Sequence, residues 1–167
     1  MTESDVSPPF GRAGLSSRRI YLLVGIPGCG KSTYARAHLR HCLRVCLDDL
    51  RLMLTGVAYD PASEPAVAVA GAAIMDGLLA NLDEWQRDLV FDATNVTREW
   101  RSRSLLRARR RGIAAIAIYF DCPLEVALAR NAGRPNAVPE EIVRRFHAQL
   151  EPPTFDEGFA DIVVVGP

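Results

Sequence analysis

Lysine is nearly missing from this chain. Of its 20 basic residues all but Lys31 are arginine. A guanidinium is planar and favours forked contacts, whereas an ammonium is a compact point charge on a flexible stem. A position that keeps lysine against so strong a bias asks for the second kind of cation. Net charge is also missing, with 20 basic residues set against 20 acidic ones. No overall field therefore draws in a polyanion, and any such attraction must be local. Long apolar runs are absent: Ala66 to Leu82 comes nearest, but Asp76 interrupts it and it falls short of the roughly 18 residues of a membrane span. Cysteine is scarce, and Cys29, Cys42, Cys46 and Cys122 do not have the spacing of a disulfide framework, which fits a reducing cytoplasm. Nor do His38, His41, Cys42 and Cys46 show the tight paired spacings of a structural zinc site. Residues 1–18 carry Pro8, Pro9, Gly11 and Gly14 and lack the basic-then-apolar layout of a secretion signal. They read as a flexible tail, leaving residues 19–167 as one domain.

What is there begins around that single lysine. Gly25-Ile26-Pro27-Gly28-Cys29-Gly30-Lys31-Ser32 satisfies G-x-x-x-x-G-K-[ST], the phosphate-binding loop. Its context gives the motif weight. Ile20 to Val24 is an unbroken apolar run suited to a central parallel strand, and Ser32 to Leu39 reads as an amphipathic helix. Glycines let the backbone wrap with N–H groups inward, and the helix start adds partial positive charge. Lys31 is expected to reach the β- and γ-phosphates of ATP or another nucleoside triphosphate, and the Ser32 hydroxyl to sit on Mg²⁺. Thr33, next along, joins the same nucleotide-binding set.

Further strands are expected at Arg44–Leu47, Asp88–Phe91, Ala114–Phe120 and Asp161–Val165, with helices between them, including 31–41, 66–82 and 97–111. Strands alternating with helices predict an α/β fold with a parallel five-stranded sheet and helices on both faces, and the loop makes it a P-loop NTPase. Ligands of such sheets bind beyond the carboxyl ends of the strands. Asp48, Asp49 and Arg51 follow the second strand, Asp92, Thr94 and Asn95 the third, and Asp121 the fourth.

With the loop, Asp48-Asp49-Leu50-Arg51, Asp92-Ala93-Thr94-Asn95 and Arg130-Asn131-Ala132-Gly133-Arg134 together, the chain resembles the phage-type polynucleotide 5′-hydroxyl kinases from Arg19 to about Pro153. These are P-loop phosphotransferases of the adenylate-kinase-like group. The resemblance implies that Asp48 is the general base on an attacking 5′-hydroxyl and that Arg51 grips the acceptor's 3′-side phosphate. It makes Arg134 the lid arginine on the transferring phosphoryl group, with Arg130 its partner. Asp92, Thr94 and Asn95 look like the family's D-T-N element with an alanine inserted. Asp48 is expected to face the acceptor while Asp49 caps the short helix that follows.

Arg98, Arg101, Arg103, Arg107, Arg109, Arg110 and Arg111 form the strongest basic cluster. They suit a nucleic-acid backbone and, at least as well, a solvated helix face. Arg98 and Arg101 are the residues expected nearest an acceptor. The implied activity is ATP- and Mg²⁺-dependent phosphorylation of the 5′-hydroxyl end of RNA or DNA, with a separate phosphatase or ligase completing end repair. The alternatives are a kinase for a nucleoside, sugar or antibiotic hydroxyl, and a nucleotide-regulated binding module without an acceptor.

Overall fold

The computed structural model describes residues 17–167, so the tail expected over 1–18 lies almost wholly outside the described residues. The fold grows from strand β1 (Arg19–Val24), in which Ile20, Leu22, Leu23 and Val24 are completely buried. It pairs on one side with β3 (Leu89–Asp92), Tyr21 opposite Val90, and on the other with β4 (Ala114–Phe120), Tyr21 opposite Ile116. The outer strands β2 (Leu43–Cys46) and β5 (Asp161–Val165) complete a parallel five-stranded sheet in the order β2-β3-β1-β4-β5. The expected architecture is the observed one.

Side chains leave a strand alternately to its two faces, and β1 divides the core accordingly. Ile20, Leu22 and Val24 join one cluster with Leu50, Val67, Met75 and Leu105, whereas Leu23 joins a second with Ile26, Ala35, Ala127 and Val143. The first face is covered by α2 (Leu47–Thr55), α3 (Glu64–Leu79) and α5 (Arg98–Arg110). The second carries α1 (Lys31–His38), α6 (Leu124–Ala132) and α7 (Glu140–Gln149). A short α4 (Leu82–Trp85) precedes β3.

Several element boundaries differ from the sequence expectation by a residue or more, among them three helix ends. Helix α1 stops at His38, three residues early, where Leu39 leaves helical geometry and turns its buried side chain inward. The alanine-rich helix ends at Leu79, because the Asn81 amide donates back to the Gly77 carbonyl at 2.8 Å and closes it. Helix α2 begins at Leu47, directly on the end of β2. Thr97 caps α5 as expected, its hydroxyl accepting from the Trp100 N–H at 3.3 Å.

Arg101 corrects a second expectation. It is a buried brace rather than an acceptor contact. Its side chain is fully enclosed; Nε and Nη2 donate to the Glu157 carboxylate at 2.8 and 2.7 Å, and Nη1 to the carbonyls of Asn95, Val96 and Glu151. Removing one member of such a pair leaves the other charged and buried. Arg101→Met is therefore expected to lower the unfolding free energy by about 3 kcal/mol, read from the urea midpoint. A loss below about 0.5 kcal/mol would mean that solvent reaches Glu157.

Candidate active site

Four strand ends meet at one edge of the sheet, and each contributes polar groups. The loop after β1 wraps through Gly25 to Gly30 into α1, whose first residue has Gly30 as its cap. No side chain caps this helix and no acid lies in its first turn, so its opening N–H groups face the loop uncompensated. Lys31 is buried there, with Nζ donating to the carbonyls of Gly25 and Ile26 at 2.8 Å each and lying 3.6 Å from the Cys29 sulfur. Uncapped donors around a buried ammonium make a cradle for phosphate. The half-buried Ser32 hydroxyl has no hydrogen-bond partner among the described residues, so this hard oxygen donor is available to a cation such as Mg²⁺. Thr33 is exposed beside it.

Gly28 fixes how the loop meets its neighbour. Its φ is +85°, and a Cβ there would lie 2.2 Å from the Ala127 carbonyl oxygen of α6. Only glycine permits both the conformation and the approach. The phosphate loop therefore rests on the helix that leads into the lid. After α6 ends at Ala132, the buried Asn131 side chain clamps the lid loop by donating to the Val138 carbonyl at 2.7 Å and accepting from the Val138 N–H at 3.0 Å.

From that loop Arg134 extends across the site, its Nη2 3.7 Å from the Asp48 carboxylate. Arg51 Nη1 donates to the other Asp48 oxygen at 2.6 Å. The structure thus brings three predicted residues, Asp48, Arg51 and Arg134, into one cluster, with Asp48 exposed at its centre. Arg130 is exposed on α6 and makes no ion pair among the described residues. Asp48 and Asp49 are not on an extended stretch; both sit in the first turn of α2. Asp49 does not cap that helix, and its carboxylate accepts from Arg44 at 2.8 Å.

Three other expected acceptor contacts are engaged elsewhere. Asp92 is 4% exposed and accepts from Arg44 Nε and Nη2 at 3.0 and 2.7 Å. Asn95 is buried at a positive φ of 46°, its amide donating to the Leu23 carbonyl at 2.8 Å. Arg98 points to the C-terminal segment, bonded to Thr154 and Asp156. Only Thr94 stays beside the loop, its carbonyl accepting from the Gly25 N–H at 2.9 Å. Asp92 and Asn95 brace the floor of the site instead of lining it.

Sequence inspection missed Glu64, Arg44 and Asn131. Glu64 holds Arg51 by a two-pronged contact, Nε and Nη2 donating to its carboxylate at 2.7 and 2.9 Å. These hydrogen bonds raise the Arg51 pKa further above its ordinary value. Three of the five guanidinium N–H groups are then used by Glu64 and Asp48, leaving two for a ligand.

Of the cysteines, Cys29 belongs to the phosphate loop. All four are free and buried, and burial pushes the Cys42 and Cys46 thiols up to about 11. Among the described residues, His41, Cys42 and Asp88 form the one group with metal-ligand character, at the opposite end of the sheet. No helix among the described residues is long and apolar enough to cross a membrane.

The profile of the family described as AAA domain matches residues 20–153. A search of curated proteins finds no match. Among solved structures, a chain of the Pnkp1/Rnl/Hen1 RNA repair complex is 26% identical with a TM-score of 0.66; the match covers 80% of this chain and 44% of that one. This chain thus spans under half of that relative's length. A sugar kinase from Janibacter sp. HTCC2649 is 18% identical with a TM-score of 0.62, covering 89% of this chain and 85% of its own. Chaetomium thermophilum Kti12, in complex with ADP-AlF3, is 14% identical with a TM-score of 0.60, covering 88% of each chain. The two lower identities speak to fold alone. The fold implies nucleotide binding at the loop after β1. By the extent of the profile match, the chain belongs to the AAA domain family, as a P-loop kinase-type domain.

Proposed function

We propose that this chain transfers the γ-phosphoryl group of ATP, or another nucleoside triphosphate, to the 5′-hydroxyl end of a nucleic acid. One observation carries the reading: an exposed carboxylate, Asp48, lies between two arginines at the end of the sheet that also holds the phosphate loop. Phosphoryl transfer requires in-line positioning and cations around the transferring group more than covalent help. Lys31 and the N–H groups of the loop hold the donor's phosphates, with Gly25, Ile26, Pro27, Gly28, Cys29 and Gly30 shaping the cradle. Mg²⁺ on the Ser32 hydroxyl supplies further positive charge when bound. Asp48 accepts the proton of the attacking hydroxyl. Arg134 stands over the transferring group, with Arg130 on the same lid. Arg51 spends its two remaining N–H groups on the acceptor's 3′-side phosphate. The two unused N–H groups of Arg51 can take such a phosphate, which an unphosphorylated sugar does not offer, and this supports a polynucleotide acceptor. The 26%-identical chain of an RNA repair complex supports the same choice. End repair would then need a separate phosphatase or ligase, and a cytoplasmic setting suits four free thiols.

The test offers γ-labelled ATP with a 5′-hydroxyl oligonucleotide, free nucleosides and a panel of sugars, using Lys31→Ala as the blank. Label on the oligonucleotide, absent from the blank, supports the proposal. Label confined to nucleosides or sugars replaces it with a small-molecule kinase, and nucleotide binding without transfer to anything replaces it with a binding module.

Glu64 gives a narrower test. It touches no reacting atom in this scheme and acts by positioning Arg51. Glu64→Gln is expected to raise KM for a 3′-phosphorylated acceptor about tenfold, since a hydrogen bond to a charged group is worth about 1.5–3 kcal/mol. The KM for ATP and the kcat at saturating acceptor should stay within about twofold. Equal losses for donor and acceptor would remove Arg51 from acceptor binding.

A further inference from the structure

Helices α3 and α5 enclose a groove of about 650 Å³ lined by Asp76, Arg103, Leu106, Arg107, Arg110 and Arg111. Both helices start at the strand-end edge of the sheet and run away from it, as right-handed crossovers in a parallel sheet require. Glu64, which holds Arg51, is the first residue of α3. Twelve residues further on, about 18 Å along the helix, Asp76 sits in the groove. The groove thus lies on the outside of the domain, its Asp76 wall about 18 Å along α3 from the residue that holds Arg51.

Its charge is lopsided in a chain whose total is zero. Arg107 and Arg111 share the single carboxylate of Asp76, at 3.2 and 3.5 Å. Arg103 is bound only to an exposed Glu99 at 3.3 Å, a contact of little strength in water. Arg110 is exposed and has no ion pair among the described residues. Four guanidinium groups against one lining carboxylate leave an excess of three positive charges on this wall. Arg103, Arg107 and Arg111 recur every fourth residue, so they form a stripe with a rise of about 6 Å per step. Evenly spaced forked donors along a line match a chain of phosphates better than a compact anion, which one or two arginines would satisfy.

We propose that the α3–α5 groove carries the phosphodiester backbone of a single nucleic-acid strand leading away from the active site. The occupant is the 3′-side continuation of the acceptor, and in this form the inference rests on the function proposed above. Contacts of this kind hold the backbone without reading bases. They set affinity, processing of long ends and salt dependence, and leave the chemistry at Asp48 untouched.

Arg103→Gln/Arg110→Gln tests this, because both side chains are exposed and neither belongs to the buried framework. Binding of a 3′-fluorescein-labelled 20-nucleotide strand is followed by anisotropy across a salt series, and transfer kinetics are followed on that strand unlabelled and on a dinucleotide. Loss of two phosphate contacts should reduce the slope of log K against log salt by about 1.4. The KM for the 20-mer should rise about tenfold or more, with kcat and all dinucleotide constants unchanged. Unchanged affinity and slope, or no strand binding by the unmodified protein, overturns the groove. The two proposals fail separately. Arginine-dependent strand binding without phosphorylation of the strand keeps the groove and removes the acceptor assignment. Phosphorylation of both lengths with identical KM in protein and variant does the reverse.

Discussion

Arg134→Ala is expected to slow γ-phosphoryl transfer by about 10³-fold or more, the scale on which an arginine at the transferring group acts. The loss should appear in single-turnover rates with labelled ATP, while ADP affinity by calorimetry stays within about tenfold. The geometry argues for a role in the transition state over one in stability. Arg134 lies on an exposed loop past the end of α6, and its one ion pair among the described residues is a loose 3.7 Å contact to Asp48. Such a pair contributes little to folding, so the urea midpoint should not move. Arg134→Lys keeps the charge but loses the fork, and should recover only part of the rate. A loss below about tenfold for Arg134→Ala would place the lid arginine away from the reaction. Lys31 and the N–H groups of the loop would then be the main source of charge stabilisation.

Asp48→Asn should lower kcat by about 10²–10⁴-fold, the range expected for removal of a general base. The substitution preserves size and still offers an oxygen to Arg51, so the arrangement of α2 should survive. ATP affinity should be nearly unchanged, because in the proposed scheme Asp48 acts on the acceptor. The adjacent carboxylate supplies the control. Asp49 accepts from Arg44 and takes no part in the Arg51–Arg134 cluster, so Asp49→Asn should keep most of the activity. The opposite pattern, with Asp49→Asn inactive and Asp48→Asn fully active, would transfer the role to the neighbour.

The parts of this site visible in the sequence are those encoded by local pattern. The glycine loop and Lys31 follow an apolar strand and open a helix, and that order alone gives their place on the sheet. Asp48, Arg51 and Arg134 could be named from short motifs, and the fold joins them. The partners that hold them could not be found in this way. Glu64 is 13 positions from Arg51, Asp92 is 48 from Arg44, and Glu157 is 56 from Arg101. No helical or strand period connects such pairs, because the packing of α2 on α3, the register of β2 on β3 and the docking of the C-terminal segment decide them. Three of the misassigned residues share a cause. Asp92 and Asn95 are polar and stand at a strand end, and Arg101 belongs to the basic cluster at the start of α5, which suggested contact with ligand. Each is buried, and a buried polar side chain has to be satisfied within the protein. The Asp49 error was one of boundary: a helix that starts one residue before Asp48 leaves no cap position for Asp49 to fill.

The solitary ε-amine has a practical consequence. Lys31 is enclosed by the carbonyls of Gly25 and Ile26, and no other lysine occurs in these 167 residues. An acylating reagent that selects primary amines has one side-chain target in these residues, and that target is the floor of the donor cradle. Mass added by such a reagent, counted apart from the α-amino group, becomes a direct gauge of cradle occupancy. It needs no label on the nucleotide and no turnover.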